Sequence, residues 1–274
     1  MKRLSLVLVA MFSSMAFAAN KVTFAGSDTL AGAIGDAIIQ AGMENQIQYT
    51  GGGSGIGEKG LINGDQGIAP MSREITADAM AQLSAKSVSV TPLVLALDGL
   101  SIFVKGGNPV PSLDLPTLVK IYTCEFTKWE QIPGSRVVGA LHVYRRNDAS
   151  GTTDAFKHFT GLKSFGACVQ VVNETADITD VTSRDPLALG YAGLSGKGAD
   201  NRPVAIAARA GSPAVLPTTA TVRDFSYPMA RNLFVYVVSG GRTPNAVEND
   251  FLNYISDRSF MDPIMQAHDF ITID

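Results

Sequence analysis

The sequence predicts an α/β fold with mainly parallel sheets. Short strand-like runs alternate with helix-like stretches along nearly the whole chain, the pattern of strands joined by crossover helices. The helical stretches carry apolar residues at the i, i+3, i+4 spacing of an amphipathic face. With 274 residues, 46% of them hydrophobic, the chain can bury one large or two ordinary cores without metal or many disulfides.

The elements follow in order. Residues 21–25 read as a short strand. A helix is expected over 29–43, with Ala31, Ile34, Ala37, Ile38 and Ala41 on one face. Residues 46–50 are strand, and a glycine-rich turn leads into a helix near 58–62. The apolar runs 67–71 and 90–97 suit buried strands. Leu115, Leu118, Val119 and Tyr122 form a helical stripe, with Asp114 as N-cap and Pro116 in the first turn. A strand over 137–144 precedes a helix through Ala155, Phe156 and Phe159. Further strands fall at 188–194, 203–208 and 233–238. Val247, Phe251, Tyr254 and Ile255 mark a late helix.

The N-terminus points to export. Met1, Lys2 and Arg3 form a basic region, residues 6–12 an apolar one, and Ala16-Phe17-Ala18 an A-x-A cleavage site. This is the pattern of a signal peptide over 1–18, too short to span a bilayer. With Lys2 and Arg3 removed, 20 basic residues stand against 25 acidic ones, which speaks against a nucleic-acid partner. The only cysteines, Cys124 and Cys168, are expected to pair in an oxidising compartment. The three histidines lie in no triad or metal spacing, so neither metal nor cofactor is expected.

The chemistry lies in four polar turns. They are Gly26-Ser27-Asp28-Thr29, Gly51-Gly52-Gly53-Ser54-Gly55, Met71-Ser72-Arg73, and the run from Arg146 through Asp148, Ser150, Gly151 and Thr152 to Thr153. In three of them small hydroxyl residues stand just before a helix. A helix start presents unpaired N–H groups and a partial positive charge, which suits an anion. Arg146 can add a bidentate contact to an oxyanion, and Arg73 a second. Taken singly, each turn reads more simply as a helix cap. Arg146 could be a surface ion pair with Asp148, and Arg73 could pair with Glu74 or stay solvated. The repetition of the pattern goes beyond what capping requires.

Other motifs fit less well. Gly55-Ile56-Gly57-Glu58-Lys59-Gly60 has the letters of a dinucleotide fingerprint, but its glycines fall inside the helix start. Residues 193–198 lack the glycine spacing and final hydroxyl of a P-loop. Ser54 is not framed as G-x-S-x-G, because Ile56 fills the last position.

The arginine four residues ahead of Ser150-Gly151-Thr152, with Gly53-Ser54-Gly55 after Tyr49, resembles the periplasmic phosphate-binding proteins of phosphate ABC importers, the PstS family. Looser similarity runs through 68–73, 98–100 and 115–129. The resemblance implies a type II periplasmic-binding-protein fold, with two α/β lobes joined by two crossover strands and the ligand cleft between them. It places lobe 1 at 19–97 plus 232–274 and lobe 2 at 98–231. It also implies a periplasmic, monomeric, non-enzymatic receptor that binds inorganic phosphate and docks on a membrane permease. Its phosphate-binding residues would be Thr29, the N–H of Leu30, Ser54, Ser72, Arg146, Ser150, Gly151 and Thr152, with Asp148 holding Arg146. Where some members carry an aspartate that accepts the proton of hydrogen phosphate, this chain has Arg73. Asp28 or Asp98 is then left as the acceptor. The alternatives are another tetrahedral oxyanion, an exported hydrolase of phosphate esters, or an adhesive or signalling protein on the same fold.

Overall fold

The structure, a computed structural model, describes residues 21–273 except 149, 174 and 269. The expected signal peptide lies outside these residues. The first stretch of chain runs β1 (Val22–Ala25), α1 (Ala31–Gln40), β2 (Ile47–Thr50), α2 (Ser54–Asn63), β3 (Ile68–Met71) and α3 (Ala77–Ala85). Strand β4 (Val88–Lys105) then carries the chain away from this region. Beyond it lie β5 (Ser112–Asp114), α4 (Leu115–Tyr122), β6 (His142–Arg146), α5 (Gly151–Thr160), β7 (Val169–Val172) and α6 (Thr175–Arg184). They are followed by β8 (Ala188–Gly193), β9 (Asn201–Pro203), β10 (Ala205–Ala207) and α7 (Thr219–Arg223). Strand β11 (Ala230–Gly240) brings the chain back, and α8 (Ala246–Ser256) and α9 (Arg258–Ala267) complete it.

Two strands link the halves. The first part of β4 pairs antiparallel with β11, from Val88↔Gly240 to Gly99↔Ala230, and β11 also pairs with β3. The last part of β4 leaves β11 and pairs with β8 and β9. Each half has its own core. On one side Phe24, Ile34, Ile68, Leu233 and Phe251 bury together, beside a second cluster around Leu61, Met71 and Phe234. On the other, Trp129, Tyr122, Phe156, Tyr191 and Leu100 form a larger core. The two lobes of the expected fold are present.

Three features depart from the sequence reading. Of the eight strand pairings among the described residues, four are parallel and four antiparallel, because the linking strands run against each other and against their neighbours. The strand expected at 137–144 is β6, at His142–Arg146, since Gly139 has a φ of 127° that interrupts an extended run. Helices α3, α6, α7 and α9 and strands β5 and β7 are additions to the sequence reading. The outer helix α6 shows why: it reads TADITDVTSR, and only Ile178 and Thr182 are buried.

Cys124 and Cys168 form the expected disulfide, with Cα atoms 5.9 Å apart. It fastens the end of α4 to the segment before β7. Phe165 of that segment packs on Tyr122 and stacks on Phe156. The bridge spans 44 residues, so its removal is expected to cost about 3–4 kcal/mol, mainly by freeing the unfolded chain. Both sulfurs lie within one lobe. Reduction should therefore lower the melting temperature while leaving oxyanion affinity, measured by calorimetry below the melt, little changed.

Candidate functional site

The polar turns of the first lobe meet at the foot of the crossing strands. Gly26 sits against β3 so closely that a Cβ there would lie 2.1 Å from the carbonyl oxygen of Pro70, and the Ser27 amide donates to that same oxygen at 2.8 Å. The second turn needs glycine at Gly53, whose φ is 93°. Its amide donates to the carbonyl of Gly26 at 2.9 Å. Helix α2 thus starts at Ser54 beside the start of α1. The Ser54 hydroxyl accepts from the Ser72 amide at 3.0 Å and lies 3.3 Å from the Ser72 hydroxyl. Both serines are buried.

Arg231 of β11 ties this half together, and sequence reasoning missed it. Its Nη2 donates to Thr29 Oγ1 at 3.1 Å and its Nη1 to the carbonyl of Ser72 at 3.0 Å. Nε and Nη2 both donate to Asp98 Oδ2, at 3.0 and 2.8 Å. Asp98 stands directly opposite Arg231 in the strand register, so cross-strand pairing alone brings the two charges together. Asp98, one of the two expected proton acceptors, therefore serves as the counter-ion of Arg231. Asp28, the other, braces the second turn by accepting from the Gly52 amide at 2.7 Å.

Arg73 has a different partner from either expected. Its Nη1 and Nη2 donate to the two oxygens of Glu58 at 2.6 and 3.1 Å, and Nη1 also donates to the carbonyl of Glu74 at 2.9 Å. Burial pushes the Glu58 carboxyl up, but the hydrogen bonds from Arg73 and from the Thr76 amide outweigh this and hold it below its usual range. The single charge that Arg73 offers is thus balanced within α2.

The second lobe contributes the start of α5. Ser150 caps it, its hydroxyl accepting from the Thr152 amide at 3.3 Å. Thr153 Oγ1 donates to the carbonyl of Arg146 at 3.0 Å and lies 2.7 Å from the Tyr191 hydroxyl, which binds the helix start to β6 and β8. The expected pairing of Asp148 with Arg146 is corrected here. Asp148 instead takes a bidentate contact from Arg145, at 2.9 and 3.1 Å, and a longer one from Lys157 at 3.4 Å. The reason is strand alternation. Arg145 projects to the α5 side, where its guanidinium lies 4.5 Å from the centre of the Phe165 ring and the following turn folds back onto it. Arg146 projects to the α6 side, where Nη1 donates to Thr175 Oγ1 and Nε to the carbonyl of Asn173, both at 2.8 Å.

Across the cleft, α5 turns His158 toward Arg73 and Arg231. Burial and these two cations lower its pKa, against an opposing effect of Asp154. The structure brings Thr29, Ser54, Ser72, Arg231 and Asp98 into one bonded cluster. Ser150, Thr152 and the two arginines of β6 lie on the other lobe, and none of the described hydrogen bonds joins them to that cluster. Among the described residues no group of three or more His, Cys, Asp or Glu could hold a metal ion, and no helix is long and apolar enough to cross a membrane.

A family model described as a PBP superfamily domain matches residues 13–258. The chain belongs to the PBP superfamily. Within it, the chain is 25% identical over 226 residues to the phosphate-binding protein PstS of Pseudomonas aeruginosa, covering 78% of this chain and 70% of that protein. The Staphylococcus aureus protein of the same name is 27% identical over 224 residues, covering 80% and 65%. The fold is similar to a possible phosphate binding protein from Planctomyces limnophilus, with a TM-score of 0.78, 23% identity, and 92% and 93% of the two chains covered. An ABC-type phosphate transport receptor from Vibrio cholerae gives a TM-score of 0.75 and 20% identity, with 92% and 100% covered. These superfamily members share the two-lobed fold.

Two measurements test this geometry. Asp98→Ala strands Arg231 in a buried position, where breaking an ion pair costs about 3–5 kcal/mol. It should shift the urea midpoint far more than Asp98→Leu combined with Arg231→Met, which removes both charges. Glu58 adds stability that is fully present above the ordinary glutamate range and lost as pH falls through its lowered folded value. Acid denaturation of Glu58→Gln should accordingly be shallower than that of the wild type in that interval.

Proposed function

We propose that this chain is an exported solute-binding protein that captures inorganic phosphate between its lobes and delivers it to the membrane permease of an ABC importer. The observation that carries the reading is the first-lobe cluster, in which Arg231 binds the Thr29 hydroxyl and the Ser72 carbonyl while the Ser54 and Ser72 hydroxyls lie 3.3 Å apart beside them. From the other lobe, α5 brings His158 to the same cavity as Ser72 and Arg231, and its capped start carries Ser150 and Thr152. The similarity to proteins named for phosphate binding selects phosphate among the oxyanions such a cleft would suit.

Capture replaces the water around the anion with N–H and O–H donors. The first-lobe donors are Thr29, the amide of Leu30, Ser54 and Ser72. The second-lobe donors are Ser150, Gly151 and Thr152, with Arg146 at the strand edge. Neutral donors dominate, and Arg73 and Arg231 arrive already paired with Glu58 and Asp98. Binding of this kind is reversible, as delivery requires. The division into 19–97 with 232–274 against 98–231 is supported by the separate cores on the two sides of the crossing. We assign the protein no chemical step, and take it to act as a periplasmic monomer.

Calorimetry of the stripped mature protein against phosphate, sulfate, arsenate and molybdate tests the reading. Phosphate at about 100 times Kd should stabilise the fold by roughly 2.7 kcal/mol; a melt unmoved by every oxyanion overturns it. Arg146→Ala is expected to weaken phosphate by about 2–4 kcal/mol, the scale for losing a buried charged contact. Arg146→Lys should recover part of this, because an ammonium lacks the planar fork.

A further inference from the structure

The hydroxyls behind the start of α5 form a chain with one direction. Thr153 Oγ1 carries a single proton and donates it to the carbonyl of Arg146 at 3.0 Å. The Tyr191 hydroxyl, 2.7 Å from the same Oγ1, is therefore the donor to it. Each bond of such a chain polarises the next. Thr153 and Tyr191 are both buried, and burial raises the pKa of the Tyr191 hydroxyl, which keeps it a donor. With both protons committed, neither side chain has one left for an anion.

Three elements meet at this chain. Arg146 ends β6. Thr153 lies in the first turn of α5, its amide donating to the carbonyl of Ser150 at 2.9 Å, while the Ser150 amide donates to the carbonyl of Asn147 at 3.2 Å. Tyr191 belongs to β8 and stands opposite Ile102 of β4, the strand that carries Asp98 at the crossing. Phe156 of α5 stacks on the Tyr191 ring, with centroids 4.4 Å apart and planes 8° from parallel. The stack presses α5 against β8, but apolar burial has no direction. The hydroxyl bond does, and it sets where the helix begins.

We propose that Tyr191 is a positioning residue for oxyanion capture. Through Thr153 it holds the donors of Ser150, Gly151 and Thr152 at a fixed place relative to Arg146 and to the crossing strand. The proposal rests on the phosphate reading above.

Calorimetry and stopped-flow release of inorganic phosphate from the stripped mature protein test it. Tyr191→Phe keeps the ring stack and removes only the hydroxyl. It should weaken phosphate about fivefold, the scale of one net hydrogen bond, chiefly through faster release. Thr153→Val should lose as much and Thr153→Ser almost nothing. Tyr191→Phe combined with Thr153→Val should lose no more than either alone, because the chain acts as a unit. Tyr122→Phe controls for the structural cost. Its ring packs 5.6 Å from that of Tyr191, but its hydroxyl donates to the carbonyl of Tyr144 at 3.1 Å. Its loss should lower the melting temperature of the ligand-free protein and leave phosphate affinity unchanged. If the wild type binds phosphate and Tyr191→Phe binds it equally well, or Tyr122→Phe weakens it as much, or the two losses simply add, the proposal fails and the phosphate reading stands. If the wild type binds no phosphate, both fail.

Discussion

Arg231 and Asp98 face each other across the two strands that join the lobes, and the first-lobe half of the site hangs on that contact. Only 8% and 11% of their side chains are exposed, so each charge depends on the other for its solvation. Four hydrogen bonds radiate from one guanidinium, to the opposite strand, to the turn before α1 and to the end of β3. The same pair therefore fixes the register of the crossing and the position of two polar turns. A change of register by one residue would turn Arg231 to the other face of the strand and dissolve the cluster.

The rest of the site shows a consistent economy of charge. Three of its cations arrive with a carboxylate: Arg73 with Glu58, Arg145 with Asp148, Arg231 with Asp98. Such pairs are rigid and hold their donors at fixed angles, but they add little net field. Recognition is thereby left to short-range hydrogen bonds, which depend on shape and direction, and long-range attraction is weak in a chain with a slight acidic excess.

Much of this was legible in the sequence, for reasons that differ by element. The turns at Thr29, Ser54 and Ser150 were visible because small hydroxyls and glycines before a helix are a local signal. The disulfide was legible because only two cysteines exist. Arg231 was not, since its role comes from a partner 133 residues earlier in the chain; its one available clue was a basic residue on the return crossing matched to an acid on the outward one. Glu58 was hidden for the same reason, because Arg73 reaches it from the end of β3. The swap between Arg145 and Arg146 turned on which face of β6 each side chain takes. Adjacent arginines give no signal for that until the strand's neighbours are known.

The place of β11 in the sheet bears on how the chain acquires its structure. This strand lies between β3 and β4, yet it is made long after both; Phe234 pairs with Met71 and Val94. The first lobe, although begun at the N-terminus, lacks its central strand until residues 230–240 are present. The intervening stretch, by contrast, is one continuous segment and holds nearly all of its own core. Contacts so distant in sequence slow folding. That delay keeps the early half loose until the late half has been made.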